Sequence, residues 1–145
     1  MKKNGCACWQ TGFTLIELLV SISIIAILTV LASLSFSKAQ KNGRDQRRIN
    51  DLKSVQSAAE QYHLLNNEYP TLINVGWTGP DNQMILAKFP VDPKNTGSYV
   101  YTANTLSSSN YCICALMEDS KNANSAIDCS DFVNITNYFC VKNQQ

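Results

Sequence analysis

Histidine occurs once in the chain, as His63, and no G-x-S-x-G turn, phosphate-binding loop or paired-carboxylate motif is present. A lone imidazole at the end of a helical pattern reads as a surface or packing residue rather than a general base, so the sequence gives catalysis no support. An excess of either charge is also missing. The 12 Lys and Arg stand against 11 Asp and Glu, a net charge of +1, which leaves no bulk electrostatic case for a nucleic-acid partner. Internal repeats and low-complexity tracts are absent, which excludes a solenoid and a compositionally disordered chain. What remains, at 145 residues, is room for one modest domain and an anchor.

One stretch lacks charge altogether. Residues 18–36 are apolar apart from Ser and Thr, whose hydroxyls bond back to a helix backbone and are tolerated in lipid. About 20 residues at 1.5 Å rise span the ~30 Å hydrocarbon core, so this run is long enough to cross a bilayer. Ahead of it stands MKKNGCACWQTG, with Lys2 and Lys3 and no acid. The positive-inside bias therefore keeps the N-terminus cytoplasmic and sends everything after Lys38 outward. A secretory signal peptide cut near Ser37-Lys38-Ala39 is one reading, but its apolar core is too long and Glu17 is out of place. A plain signal anchor leaves Glu17 as a cost of roughly 2.5–3.5 kcal/mol on insertion scales.

A third reading uses the order Gly12-Phe13-Thr14-Leu15-Ile16-Glu17 itself. A short basic leader ending in Gly, then Phe, then Thr-Leu-Ile-Glu and a long apolar helix resembles the type III signal of type IV pilins and type II secretion pseudopilins. The resemblance is close over residues 12–70. It implies a prepilin peptidase cut between Gly12 and Phe13, with methylation of the new Phe13 N-terminus. Glu17 then lies one helical turn from a cationic Phe13 amine. In an assembling filament Glu17 would neutralise the Phe13 amine of a neighbouring subunit, turning two costly charges into one pair that sets axial register. The helix-breaking Pro common in the family's apolar segment is replaced here by Leu34, so any local melting would use another weak point such as Asn42-Gly43.

The helical pattern continues outward. Lys38, Lys41, Arg44, Arg47 and Arg48 mark the exit from the apolar zone. After them Ile49, Leu52, Val55, Ala59 and Tyr62 form an amphipathic stripe, with Asn50, Asp51, Lys53, Gln56 and Glu60 on the other side. One helix from Phe13 to about Leu65 would be roughly 80 Å long at about 1.5 Å per residue. Its apolar half then needs lipid or other copies to cover it. The cluster Arg44, Arg47, Arg48 is expected at headgroup level or paired with acids, Asp45, Asp51 or another subunit; phosphate contact with DNA is the competing reading.

Beyond Pro70 the pattern turns to short strands and turns. Gln83 to Lys88 reads as a short helical turn, and residues 98–103, 110–118 and 136–142 read as strands. The expectation is α+β: a long N-terminal helix, membrane-spanning then amphipathic, packed on a small antiparallel β-sheet. The segments would be a leader at 1–12, a filament-core half-helix at 13–37, an amphipathic half at 38–66 and a head at 67–145.

Cys112, Cys114, Cys129 and Cys140 suit an exported, oxidising location, as disulfides that stiffen a head with a small core. Cys112 and Cys114, two apart on a strand, face the same way and are better placed for two different partners, with the pairing open. A zinc site is the alternative, but it lacks paired C-x₂₋₄-C knuckles. Cys6 and Cys8 would leave with the leader. Major pseudopilins of the family bind calcium in a distal loop; Asp119, Asp128 and Asp131 offer oxygens at a spacing that matches no calcium loop, so no metal or cofactor is expected. Asn134-Ile135-Thr136 is a glycosylation sequon by pattern only.

The resemblance therefore implies a structural subunit of a type IV pilus or pseudopilus, in the bacterial inner membrane with its N-terminus inside, then in an extracellular or periplasmic filament. Its partners would be other copies of itself, prepilin peptidase, an inner-membrane assembly platform and, before assembly, the lipid bilayer. The alternative is a minor pilin acting as a tip binding module for adhesion or DNA uptake.

Overall fold

The computed structural model describes residues 12–127, 129 and 137–144. Helix α1 spans Leu15–Asn66 and contributes to two compact units, residues 1–38 and 39–145. It starts two residues after Phe13. Thr14 caps it, its Oγ1 accepting from the Glu17 amide at 3.3 Å, which satisfies one of the amides left without a partner in the first turn. The expected start at Phe13 is thus displaced by a capping residue.

In the first unit the hydroxyls bond to the helix itself. Ser21 donates to the Glu17 carbonyl at 2.7 Å, Ser23 to that of Val20 at 2.7 Å, and Ser33 to that of Thr29 at 2.8 Å. The described large apolar side chains are exposed, among them Leu15 (84%) and Phe36 (64%). By length and composition this is the one helix among the described residues able to cross a membrane. The helix continues unbroken through position 34 and through Asn42 and Gly43.

In the second unit the same helix buries a stripe. Leu52, Val55, Ala58 and Ala59 are buried, with Ile49 and Tyr62 packed at the edge, at the three- and four-residue steps of a single helical face. The helix ends where Asn67 turns into the left-handed region (φ 57°) and its amide donates to the His63 carbonyl at 2.8 Å, ahead of Pro70.

Against that stripe lies a three-stranded antiparallel sheet in the order β3 (Thr102–Leu106), β4 (Tyr111–Leu116), β5 (Tyr138–Lys142). Alternation along β4 sets its two faces. Tyr111, Ile113 and Ala115 join the helix-side core, whereas Cys112 and Cys114 join Cys140 in a separate cluster. A smaller antiparallel pair joins β1 (Trp77–Thr78) to β2 (Met84–Leu86). Gly76 lies close against that ribbon: a Cβ there would come within 2.6 Å of the Ala87 carbonyl oxygen.

Two local expectations are corrected. Residues 84–86 are a strand rather than a helical turn, because Asp81 and Asn82 adopt positive φ (59° and 58°) and reverse the chain onto β1. Residues 98–101 are not strand, and β3 starts at Thr102. Gly97 (φ 58°) closes a turn there, with the Tyr99 amide donating to the Thr96 carbonyl at 3.1 Å. The aromatic rings in this stretch serve other contacts: Tyr99 lies under Arg48, and the Tyr101 hydroxyl donates to Asp51 at 2.7 Å.

Candidate functional site

Three groups of residues carry chemistry beyond core packing. The first is the start of α1. Phe13 (83%) and Ile16 (64%) are exposed, and Glu17 is exposed in the first helical turn, where a carboxylate is favoured by the helix dipole. Gly12 is exposed just ahead of the helix, and residues 1–11, including Cys6 and Cys8, lie outside the described residues.

The second group is a buried ion cluster within the head. Arg48 and Asp45 are both 0% exposed, three residues apart and in phase with Leu52 and Val55 on the buried stripe. The Arg48 guanidinium donates to both oxygens of Asp92, at 2.7 and 3.0 Å, to Asp45 at 2.7 Å and to Glu118 at 3.1 Å. Arg44 adds a bidentate contact to Glu118 at 2.6 and 2.7 Å. Asp45 is fully used: besides Arg48 it accepts from the amides of Glu118 and Asp119, each at 2.9 Å, and from Asn122 at 3.1 Å. The Tyr99 ring closes the remaining side, 4.9 Å from Arg48 Cζ and 4.0 Å from Lys94 Nζ.

Hydrogen bonds from Arg44, opposed by burial and reinforced by Arg48, hold the Glu118 carboxyl at about 2. Burial pushes Asp92 upward, but the bonds from Arg48 and from the Lys94 and Asn95 amides prevail and its pKa is lowered. Burial likewise disfavours the Arg48 charge, yet its bonds to Asp92, Glu118 and Asp45 raise its pKa.

Of the positions expected for this cluster, Arg44 and Arg48 take the pairing with acids: Arg48 bonds the expected Asp45 together with Asp92 and Glu118, and Arg44 bonds Glu118. Arg47, exposed, lies 4.0 Å from Asp51. Asp92 and Glu118 were not singled out from sequence. The available signal was the three-residue spacing of Asp45 and Arg48 in phase with the apolar stripe. The polar side of the helix is also put to use. Glu60 accepts from the hydroxyls of Tyr69 (3.0 Å) and Tyr111 (3.1 Å) and from the Gln144 amide (3.1 Å). His63 stacks on the Tyr69 ring with centroids 4.3 Å apart.

The third group is the cysteines. Disulfides join Cys112 to Cys129 and Cys114 to Cys140. The second staples directly opposed residues of β4 and β5, and the first ties the β4–β5 connection back to β4. All four sulfurs lie within 4.8 Å of one another. Asp119 caps a short 3₁₀ turn, accepting from the Lys121 amide at 3.1 Å, while Asp128, Asp131 and the 134–136 sequon lie outside the described residues.

An exposed apolar helix with an acid in its first turn thus stands on a chain that also carries a small disulfide-bearing α+β head. In its N-terminal motif the chain is similar to type IV pilins and pseudopilins. Residues 10–33 match the family model described as the prokaryotic N-terminal methylation motif. The chain is 36% identical over 62 residues to the type II secretion system core protein G of Aeromonas hydrophila, a match covering 43% of each chain. It is 34% identical over 62 residues to the protein of the same name from Escherichia coli (strain K12), again 43% of each. The corresponding protein of Vibrio cholerae is 32% identical over 62 residues, 43% of this chain and 42% of that one. The matches thus span less than half the length of these relatives. No solved structure matches the chain.

Proposed function

We propose that this chain is a structural subunit of a type IV pilus or pseudopilus filament. The observation that carries the reading is the exposed apolar helix that begins at the matched motif and bears Glu17 as its only charge before Lys38. So large an exposed apolar face needs a cover, lipid before assembly and other copies of the helix after it. The names of the relatives support a secretion pseudopilus in particular.

In this reading residues 1–12 are a leader that prepilin peptidase removes between Gly12 and Phe13, and Phe13 becomes the methylated N-terminus. Residues 13–37 form the filament core, 38–66 the amphipathic half and 67–145 the head. The subunit waits in the bacterial inner membrane, N-terminus inside, until an assembly platform adds it to the filament. Glu17 meets the Phe13 amine of a neighbouring copy, and that pair sets the axial step.

The test is Glu17→Ala. The variant should insert and be processed like the parent but yield few filaments; undiminished filament yield refutes the role. Mass spectrometry of the mature protein decides the processing step: a methylated Phe13 terminus is expected, and a terminus at Gln40 or an intact leader overturns it.

A further inference from the structure

Where α1 ends, the head leaves large apolar side chains in the open: Leu64 (76%), Leu72 (65%) and Met84 (69%). They lie together because the β1–β2 ribbon folds onto the end of the helix. A Cβ on Gly79 would come within 3.1 Å of Leu65 Cδ1, and the neighbouring Thr78 pairs with Met84 across the ribbon. Leu72 lines a cleft with Tyr62 and Trp77. Two exposed acids border this patch, Glu68 just past the helix and Asp81 in the ribbon turn. Neither forms an ion pair among the described residues. Single exposed apolar residues are ordinary, but several gathered inside a polar border mark a docking surface.

A second apolar feature sits lower on the head. Pro90, Val91 and Val100 line a cleft of about 370 Å³ together with Asp92 and Tyr101. Asp92 bonds Arg48 and Tyr101 bonds Asp51, which fixes the level of the cleft on the helix. Asp51 precedes Leu65 by 14 positions, about 21 Å of helix rise. Val91 and Val100 are exposed. The border here is basic. The Asp92 charge is taken up by Arg48, while Lys94, 4.0 Å over the Tyr99 ring, and the exposed Lys88 form no ion pair among the described residues.

We propose that these two surfaces are the halves of one contact between copies of this chain. Met84 of one copy enters the Val91–Val100 cleft of the next, and Asp81 beside it meets Lys94. Each surface supplies what the other lacks. Met is unbranched and flexible, suited to filling an irregular apolar cleft. The acid-bordered patch set against its own counterpart would bring like charges together, which disfavours a two-fold pair. A contact between two different surfaces leaves every copy with one free patch and one free cleft, so it propagates through further copies. The exposed charges select the partner and the register, and the buried apolar area supplies the affinity. The proposal rests on the filament reading for its setting and adds which surfaces of the head face each other there.

The test places the photoreactive residue p-benzoylphenylalanine at Met84 of the full chain. Isotope-labelled and unlabelled chains are mixed, irradiated in assembled filaments and in concentrated detergent solution, and digested for mass spectrometry. The expected result is a link from position 84 of one copy to residues 90–100 of another. Links between two copies of position 84, links to residues 13–37, links within one copy only, or no links would each overturn the proposal. Electron microscopy of the same samples scores the filament reading separately: if no filaments form, that reading fails and the detergent sample alone decides the contact. Asp81→Lys should cut the yield of the link several-fold, and Lys94→Glu added to it should restore the yield. Equal yields for the parent and Asp81→Lys refute the charge pairing.

Discussion

Residues 15–38 and residues 39–66 belong to one helix in name, yet they treat charge and apolar surface in opposite ways. In the first stretch the apolar side chains are exposed and a single carboxylate, Glu17, stands in the open first turn. In the second, Leu52 and Val55 are fully buried, and so are Arg48 and Asp45. The difference lies in where each stretch finds its partners. Among the described residues the large apolar side chains of the first stretch remain exposed. The amphipathic run meets a sheet and two loops of the same chain, which bring apolar surface for Leu52 and carboxylates for Arg48. A buried ion costs several kcal/mol in desolvation, and the arrangement is tolerable only because each donor and acceptor is used. Among the described residues no buried side-chain nitrogen or oxygen lacks a partner.

That contrast breaks most visibly at Arg48. Arg48→Ala leaves Asp45 and Asp92 buried without their counter-charge and should lower head stability by about 3–5 kcal/mol, read as denaturant midpoint for the full chain in detergent. A loss below 1 kcal/mol would mean that the cluster is dispensable. Next comes Leu52→Ala, with an expected loss of about 2–5 kcal/mol from lost burial and the cavity left behind.

Acid sharpens the same point. Glu118, held at about 2 in the folded head, is ionised there while the unfolded chain already binds a proton. Its contribution is therefore fully present above the ordinary carboxylate range and is lost as pH falls from about 4.5 towards 2. Stability measured across that window should decline in the parent, and Glu118→Gln should flatten the decline; identical pH profiles would show that Glu118 does not couple to folding. The smallest effect belongs to the first stretch. Leu28→Ala removes an exposed side chain and should change head stability by less than about 0.5 kcal/mol, whatever it does to filament yield.

Much of this was legible in the residues. The motif at Gly12–Glu17, the uncharged run and the stripe from Ile49 to Tyr62 are local patterns, and periodicity alone distinguishes a helix apolar all round from one apolar on a single face. The common facing of Cys112 and Cys114 follows from strand alternation. Less visible were the functions of Asp51 and Glu60, placed by pattern on a polar side but used as acceptors for tyrosine hydroxyls. The strand at residues 84–86 was hidden because its formation depends on two positive-φ residues, Asp81 and Asn82, whose conformation a propensity reading does not foresee.

By itself, then, the sequence determined where the helix runs, which part of it is apolar all round, where the one acid of that apolar part falls and which cysteines share a strand face. Each depends on residues within a few positions of one another. The tertiary structure decided which acids neutralise Arg48 and Arg44 and which sulfurs bond. Those choices join residues far apart in the chain: 44 positions for Arg48 and Asp92, 74 for Arg44 and Glu118, 26 for Cys114 and Cys140. Charge attraction and sulfur chemistry depend on distance in space and burial, and neither is fixed until the sheet has packed on the helix.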